Sequence, residues 1–190
     1  STTQTPRMQQ SNALQSVCSN SGEESINSMK RLVLFTILLF TMATTMALPK
    51  PTTHCFVEGK EPLYLDHYRS EGEGQHPCVL FAFGGGFSHG SRNNERYLPY
   101  FEMLLSEGFD VVSVDYRLGM AYTLDKTEDV GPLEGAWAMY RSVNMAAEDV
   151  LRALDYILIN AAKMGINISS IVASGSSAGA IAVLQAENYL

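Results

Sequence analysis

The amino-acid sequence predicts an α/β fold with a mainly parallel sheet and flanking helices, and three observations carry that prediction. The continuous apolar run Cys78–Phe83 has the composition of a strand covered on both faces, and Asp110–Tyr116, with Val111, Val112 and Val114, reads as a further buried strand. Amphipathic helical stretches with glycine stops alternate with these runs, the order of a sheet wound by crossovers. A third apolar run, from Ile171, leads straight into Gly175-Ser176-Ser177-Ala178-Gly179 and then into a small-residue helical stretch.

That last order, strand then G-x-S-x-G then helix, is what a nucleophile elbow requires. The serine at the apex takes a strained backbone conformation, and glycines two residues to either side let strand and helix pass closely. Ser177 would project its hydroxyl from the top of the sheet, where a helix N-terminus favours developing negative charge.

The chain has 190 residues, 46% of them hydrophobic and 17% charged, with a net charge of −7. This composition suits a globular domain and gives no basic excess for binding nucleic acid. Residues 1–28 are rich in Ser, Thr, Gln and Asn and read as disordered or as a spurious upstream extension. At Met29 the character changes. Met29-Lys30-Arg31 opens a basic segment, Leu32–Phe40 forms an apolar core, and Thr45 and Ala47 suit cleavage after Ala47. Residues 29–47 therefore read as a signal peptide, with Met29 as initiator and a secreted or periplasmic product.

The rival reading is a transmembrane anchor, since no charge occurs from Leu32 through Pro49. The core is short and diluted by threonine against the about 20 apolar residues of a span, so contact with a membrane is expected only through the signal segment. Residues 48–190 then form a partial domain that keeps Cys55 and Cys78. An oxidising compartment permits a bridge between them, but Cys78 opens an apolar run and reads as a small core residue. No C-x-x-C or histidine cluster suggests a metal, and no cofactor is implied.

In chain order, Cys55–Val57 is a candidate first strand, and Leu63–Tyr68 alternates as a half-buried strand does. The run Cys78–Phe83 enters Gly84-Gly85-Gly86-Phe87, where three glycines free the backbone to present amides inward. A helix over 94–107 places Tyr97, Phe101, Leu104 and Leu105 on one face and stops at Gly108. After the strand Asp110–Tyr116, residues 117–141 read as a long connection around Trp137, either lining a substrate site or making a surface excursion. A second helix over 144–163 buries Val150, Leu154, Ile157, Leu158 and Ala161 and ends at Gly165. Glu148 and Asp149 fall near its start and would complement the helix dipole.

Together, Gly84-Gly85-Gly86-Phe87, Asp115-Tyr116-Arg117-Leu118 and Gly175-Ser176-Ser177-Ala178-Gly179 resemble the α/β-hydrolase superfamily. The resemblance is to the carboxylesterase branch with a hormone-sensitive-lipase-like H-G-G-G loop. More narrowly, it is to secreted bacterial feruloyl and acetyl-xylan esterase-type hydrolases. It implies Ser177 as nucleophile, with the amides of Gly85, Gly86 and Ala178 forming the oxyanion hole. One departure is Phe83, which stands where that branch has a loop histidine that steadies the loop by hydrogen bonds.

The larger departure concerns the acid and base, which in this fold follow the serine. None of the residues after Ser177 is histidine, their one acid is Glu187, and His54, His67, His76 and His89 all precede the serine. The expectation is the N-terminal part of a hydrolase fold with its C-terminal strands missing, the elbow strand left at an open edge, and little activity as given. The parent would hydrolyse a small-molecule or carbohydrate-linked carboxylic ester through an acyl-enzyme on Ser177. A serine peptidase of the prolyl-oligopeptidase type and a non-catalytic hydrolase-like binding module remain as alternatives, and the oligomeric state is unspecified.

Overall fold

The computed structural model describes residues 48–124 and 131–190, together with Lys30. The signal-peptide reading, apart from Lys30, lies outside these residues, as does the reading of residues 1–28. Residues 48–190 form one compact unit. Among the described residues, no helix is long and apolar enough to cross a membrane.

Among the described residues, five strands make one sheet: β1 (Thr52–Val57), β2 (Leu63–Tyr68), β3 (His76–Ala82), β4 (Asp110–Val114) and β5 (Ile166–Gly175). Their spatial order is β1-β2-β4-β3-β5. The parallel part is β4-β3-β5, in which Ala82 pairs with both Val114 and Gly175. β1 and β2 extend it through two antiparallel ladders, which the reading of a mainly parallel sheet did not resolve. The central strands β3 and β4 are the apolar runs of the sequence, and Leu80, Ala82, Val111, Val112 and Val114 are all fully buried.

Among the described residues, four helices accompany the sheet: α1 (Leu98–Ser106), α2 (Gly119–Leu124), α3 (Pro132–Met164) and α4 (Ala178–Glu187). A 3-10 turn over Glu95–Tyr97, capped by the Asn94 side chain, leads into α1. The expected 117–141 connection is corrected here, because α2 occupies part of it and α3 begins at Pro132 rather than near Asn144. Proline suits the first helical turn, where its missing N–H would have no partner. Gly135 and the exposed Leu133, Trp137 and Tyr140 break the apolar stripe in this first part of α3, which hid the helix from periodicity.

The same extension changes the role of Glu148 and Asp149, which lie in mid-helix rather than near a helix start. Asp149 is fully buried and accepts from Arg117 N at 2.9 Å and Arg117 Nε at 2.8 Å, with Glu148 3.2 Å from the same guanidinium. These acids tie the chain after β4 to α3. Val150, Ala153, Ile157 and Ala161 form the buried stripe of α3, while Leu158 is exposed. Both Cys55 and Cys78 are free thiols. β2 and β4 separate their strands, and burial, reinforced by Asp110, pushes the Cys78 thiol pKa up to about 12.

Candidate active site

The parallel register brings the two glycine-rich motifs together. Ala82 and Gly175 are neighbours at the C-terminal ends of β3 and β5, so the loop after one and the elbow after the other leave the sheet side by side. Ser176 N–H donates to Ala82 O at 3.0 Å and closes the junction. The approach is too close for side chains. A Cβ at Gly179 would lie 2.1 Å from Ala82 O, and one at Gly84 would lie 2.7 Å from Ser176 O and 3.1 Å from Ser177 Cβ.

Ser177 has φ 50° and ψ −116°, an uncommon conformation for a residue with a side chain, and it is exposed at the N-cap of α4. Such a conformation costs about 1–3 kcal/mol and persists only where the surroundings impose it. Here the strand, the helix and Gly179 impose it. Ala178, at the first helical position, is buried, and its N–H has no acceptor within the helix.

The loop of Gly84–Phe87 has its peptides turned in a defined way. Gly85 O accepts from Ser88 N at 3.0 Å, His89 N at 3.1 Å and Ser88 Oγ at 3.1 Å. Because a trans peptide points its N–H opposite its carbonyl, the amide of Gly86 faces away from that turn. Among the described residues, the amides of Gly85, Gly86 and Ala178 have no hydrogen-bond acceptor. Phe87, also at positive φ (58°), anchors the far end of the loop in the core against Tyr116.

Phe83, in the position of the loop histidine, stacks on Tyr116 with ring centroids 4.3 Å apart. The loop is steadied by other groups. Tyr116 Oη donates to Phe83 O at 2.6 Å, and Gly84 N–H donates to Tyr97 Oη at 2.8 Å. Farther along, Arg92 NH1 donates to Asp115 Oδ2 at 2.7 Å and Nε lies 3.0 Å from Asp66 Oδ2, while Ser113 Oγ donates to Arg92 O. Burial raises the Asp115 carboxyl pKa above its ordinary value, with the Arg92 charge opposing the shift. Sequence reasoning missed Tyr97, Arg92 and Asp66 as loop supports. Asp115 and Tyr116 were visible in the D-Y-R-L segment, but their partners lie too far away in sequence to be read.

None of the four histidines hydrogen-bonds Ser177 among the described residues. His67 and His76 close on Asp110 at the N-terminal ends of β3 and β4, the opposite end of the sheet. His54 lies on β1, four strand positions from β5, or roughly 19 Å at about 4.8 Å per strand. His89 is exposed and bonds Ser88 Oγ through Nδ1 at 2.9 Å. Among the described residues, no group of three or more His, Cys, Asp or Glu is arranged to hold a metal.

β5 is an edge strand, paired among the described residues only with β3. Ile168 and Val172 on β5, and Ile181 and Leu184 on α4, are exposed along this flank.

Comparison with known proteins gives a consistent result. The model of the Carboxylesterase family matches residues 40–186. Gut esterase 1 of Caenorhabditis elegans is 29% identical over 128 residues, which are 67% of this chain and 21% of that protein. Esterase B1 of Culex pipiens is 30% identical over 107 residues, covering 56% of this chain and 18% of that protein. Among solved structures, the thermophilic esterase Est2 from Thermogutta terrifontis superposes with a TM-score of 0.53 at 24% identity, over 70% of this chain and 43% of its own. Thermogutta terrifontis esterase 2 phosphorylated by paraoxon gives 0.54 at 23% identity, over 72% and 47%. These structural likenesses show the fold. The chain spans about a fifth of the curated relatives' length, and the comparisons reach the family rather than the narrower feruloyl and acetyl-xylan branch.

Proposed function

Because the chain belongs to the carboxylesterase family, we propose that it supplies the nucleophile and the oxyanion-binding half of a carboxylic ester hydrolase. Ser177 Oγ attacks the ester carbonyl, and the amides of Gly85, Gly86 and Ala178 donate to the oxyanion of the tetrahedral intermediate. Collapse expels the alcohol and leaves an acyl-enzyme, which water then hydrolyses. One observation carries this reading: a strained, exposed serine sits on an elbow packed against the glycine loop, and among the described residues the amides of Gly85, Gly86 and Ala178 have no acceptor. Amides left unpaired in this way are preorganised for charge that develops only during reaction.

Serine attack at neutral pH needs a general base, and no histidine hydrogen-bonds Ser177 among the described residues. The acid and base of the whole protein are proposed to come from polypeptide that these 190 residues do not include, which makes the chain by itself a poor catalyst. The substrate is proposed to be a small-molecule or carbohydrate-linked ester, and the leader over 29–47 to direct the protein out of the cytoplasm.

The test is hydrolysis of p-nitrophenyl butyrate by the whole protein under single-turnover and steady-state conditions. A burst of p-nitrophenol followed by slower turnover is expected, with both absent from Ser177→Ala. Wild-type turnover in Ser177→Ala would remove Ser177 from the mechanism.

A further inference from the structure

We infer that Tyr97 and Tyr116 are positioning residues of the oxyanion loop, two phenols that hold the single peptide Phe83–Gly84 from its two ends. The inference rests on the ester-hydrolase reading of Ser177 and deepens it.

The geometry is specific. Tyr116 Oη donates to Phe83 O at 2.6 Å, and Gly84 N–H donates to Tyr97 Oη at 2.8 Å. That carbonyl and that amide belong to the same planar unit, at the point where β3 ends and the glycine loop begins. Rotation of this peptide would break both bonds together. It would also swing the next two amides, Gly85 and Gly86, away from the elbow that Gly84 touches. Glycines resist such rotation weakly because they lack a Cβ, so the restraint has to come from outside the loop.

The two phenols are themselves held from different directions. Tyr116 follows β4, is buried, and stacks on Phe83. Tyr97 sits on the turn before α1, is buried, and meets Phe81 edge-on with centroids 4.8 Å apart. Their surroundings distinguish the hydroxyls from mere packing. Phe81, Phe83, Phe87 and Phe101 fill the same cluster, so phenylalanine serves where only volume is needed. Of the buried tyrosines in this cluster, Tyr68 lies away from the loop, whereas the hydroxyls of Tyr97 and Tyr116 each meet a main-chain group of it. Burial also raises the pKa of the Tyr116 phenol, which keeps it a protonated donor.

Positioning groups act on transition-state stabilisation rather than on substrate binding. In the whole protein, Tyr97→Phe and Tyr116→Phe should each lower kcat for p-nitrophenyl acetate about tenfold with KM within about twofold. The double variant should lose less than the product of the two, because both hydroxyls hold one peptide. Binding of a trifluoromethyl ketone, which forms a tetrahedral adduct, should weaken in parallel with kcat. Tyr68→Phe, which removes a buried phenol at the other end of the sheet, should leave kcat unchanged.

Hydrogen exchange of the unsubstituted protein supplies a readout that no folding defect can obscure. The Gly84 amide should exchange slowly while Gly85 and Gly86 exchange fast. Wild-type kcat in the folded Tyr→Phe variants, or fast exchange at Gly84, would overturn the positioning role. If Ser177→Ala abolishes turnover in the same experiment, that result leaves the nucleophile in place. Turnover surviving in Ser177→Ala would instead remove the reading on which the inference rests.

Discussion

The two ends of strands β3 and β4 carry polar groups of opposite kinds. At the N-terminal end Asp110 is fully buried and saturated. It accepts from His67 Nε2 at 2.8 Å, His76 Nδ1 at 2.9 Å, Ser70 N at 2.9 Å and Ser70 Oγ at 2.9 Å. Beside it, Arg69 NH1 donates to Met164 O and so joins β2 to the end of α3. At the C-terminal end, a serine with a strained backbone lies exposed on the elbow, and the loop and elbow amides have no acceptors among the described residues. The Asp110 carboxylate has its acceptor sites filled, while the other end holds donors open. The first is a stability element, and the second can do chemistry because it is not satisfied by the protein itself.

Removing the saturated end should have the largest effect. Asp110→Ala leaves two buried histidines and a serine without their acceptor, and should cost about 3–5 kcal/mol in urea unfolding. The carboxylate also has a pH signature. Burial alone would raise its pKa, but hydrogen bonds from His67, Ser70 and His76 bring it down to about 2. A depressed carboxyl stabilises the fold above its unfolded pKa of about 3.9, and that contribution is lost as pH falls toward 2. Unfolding free energy should therefore fall between pH 5 and pH 2, and Asp110→Asn should flatten that slope.

Gly179→Ala attacks the other end through its packing. The new methyl would press on the backbone oxygen of Ala82, so a loss of about 3 kcal/mol is expected in the same measurement. Ser177→Gly sharpens the contrast from the opposite side. Glycine adopts φ 50° without strain, so this variant should gain about 1 kcal/mol of stability while losing ester hydrolysis. The smallest effect belongs to Trp137→Ala, whose side chain is 57% exposed on α3 and should change stability by less than about 0.5 kcal/mol.

The working end was far more legible in the sequence than the saturated one. G-x-S-x-G after an apolar run, and three glycines after another, are local signals, because a sharp turn and a close approach each require particular residues at fixed spacing. Strand Leu63–Tyr68 has the bounds its local alternation marks, but it is not half-buried: only Tyr64 is exposed, and Leu65 to Tyr68 are buried on both faces. The Asp110 cluster gave no such signal. His67, Ser70, His76 and Asp110 are brought together only by the antiparallel pairing of β2 with β4 and the parallel pairing of β3 with β4.

The start of α3 escaped for a different reason. Its first turns carry exposed Leu133, Trp137 and Tyr140, so no apolar stripe marks them. The clamp on the loop was half visible. Tyr116 stands in the D-Y-R-L segment, but that its hydroxyl meets Phe83 O depends on the register of β4 beside β3.

The most direct test of the central claim is to treat the whole protein with paraoxon and map the covalent adduct by mass spectrometry. A diethylphosphoryl group on the peptide containing Ser177, formed as ester hydrolysis disappears, is the predicted result. Inhibition with the adduct on another residue, and Ser177 unmodified, would contradict the assignment of the nucleophile.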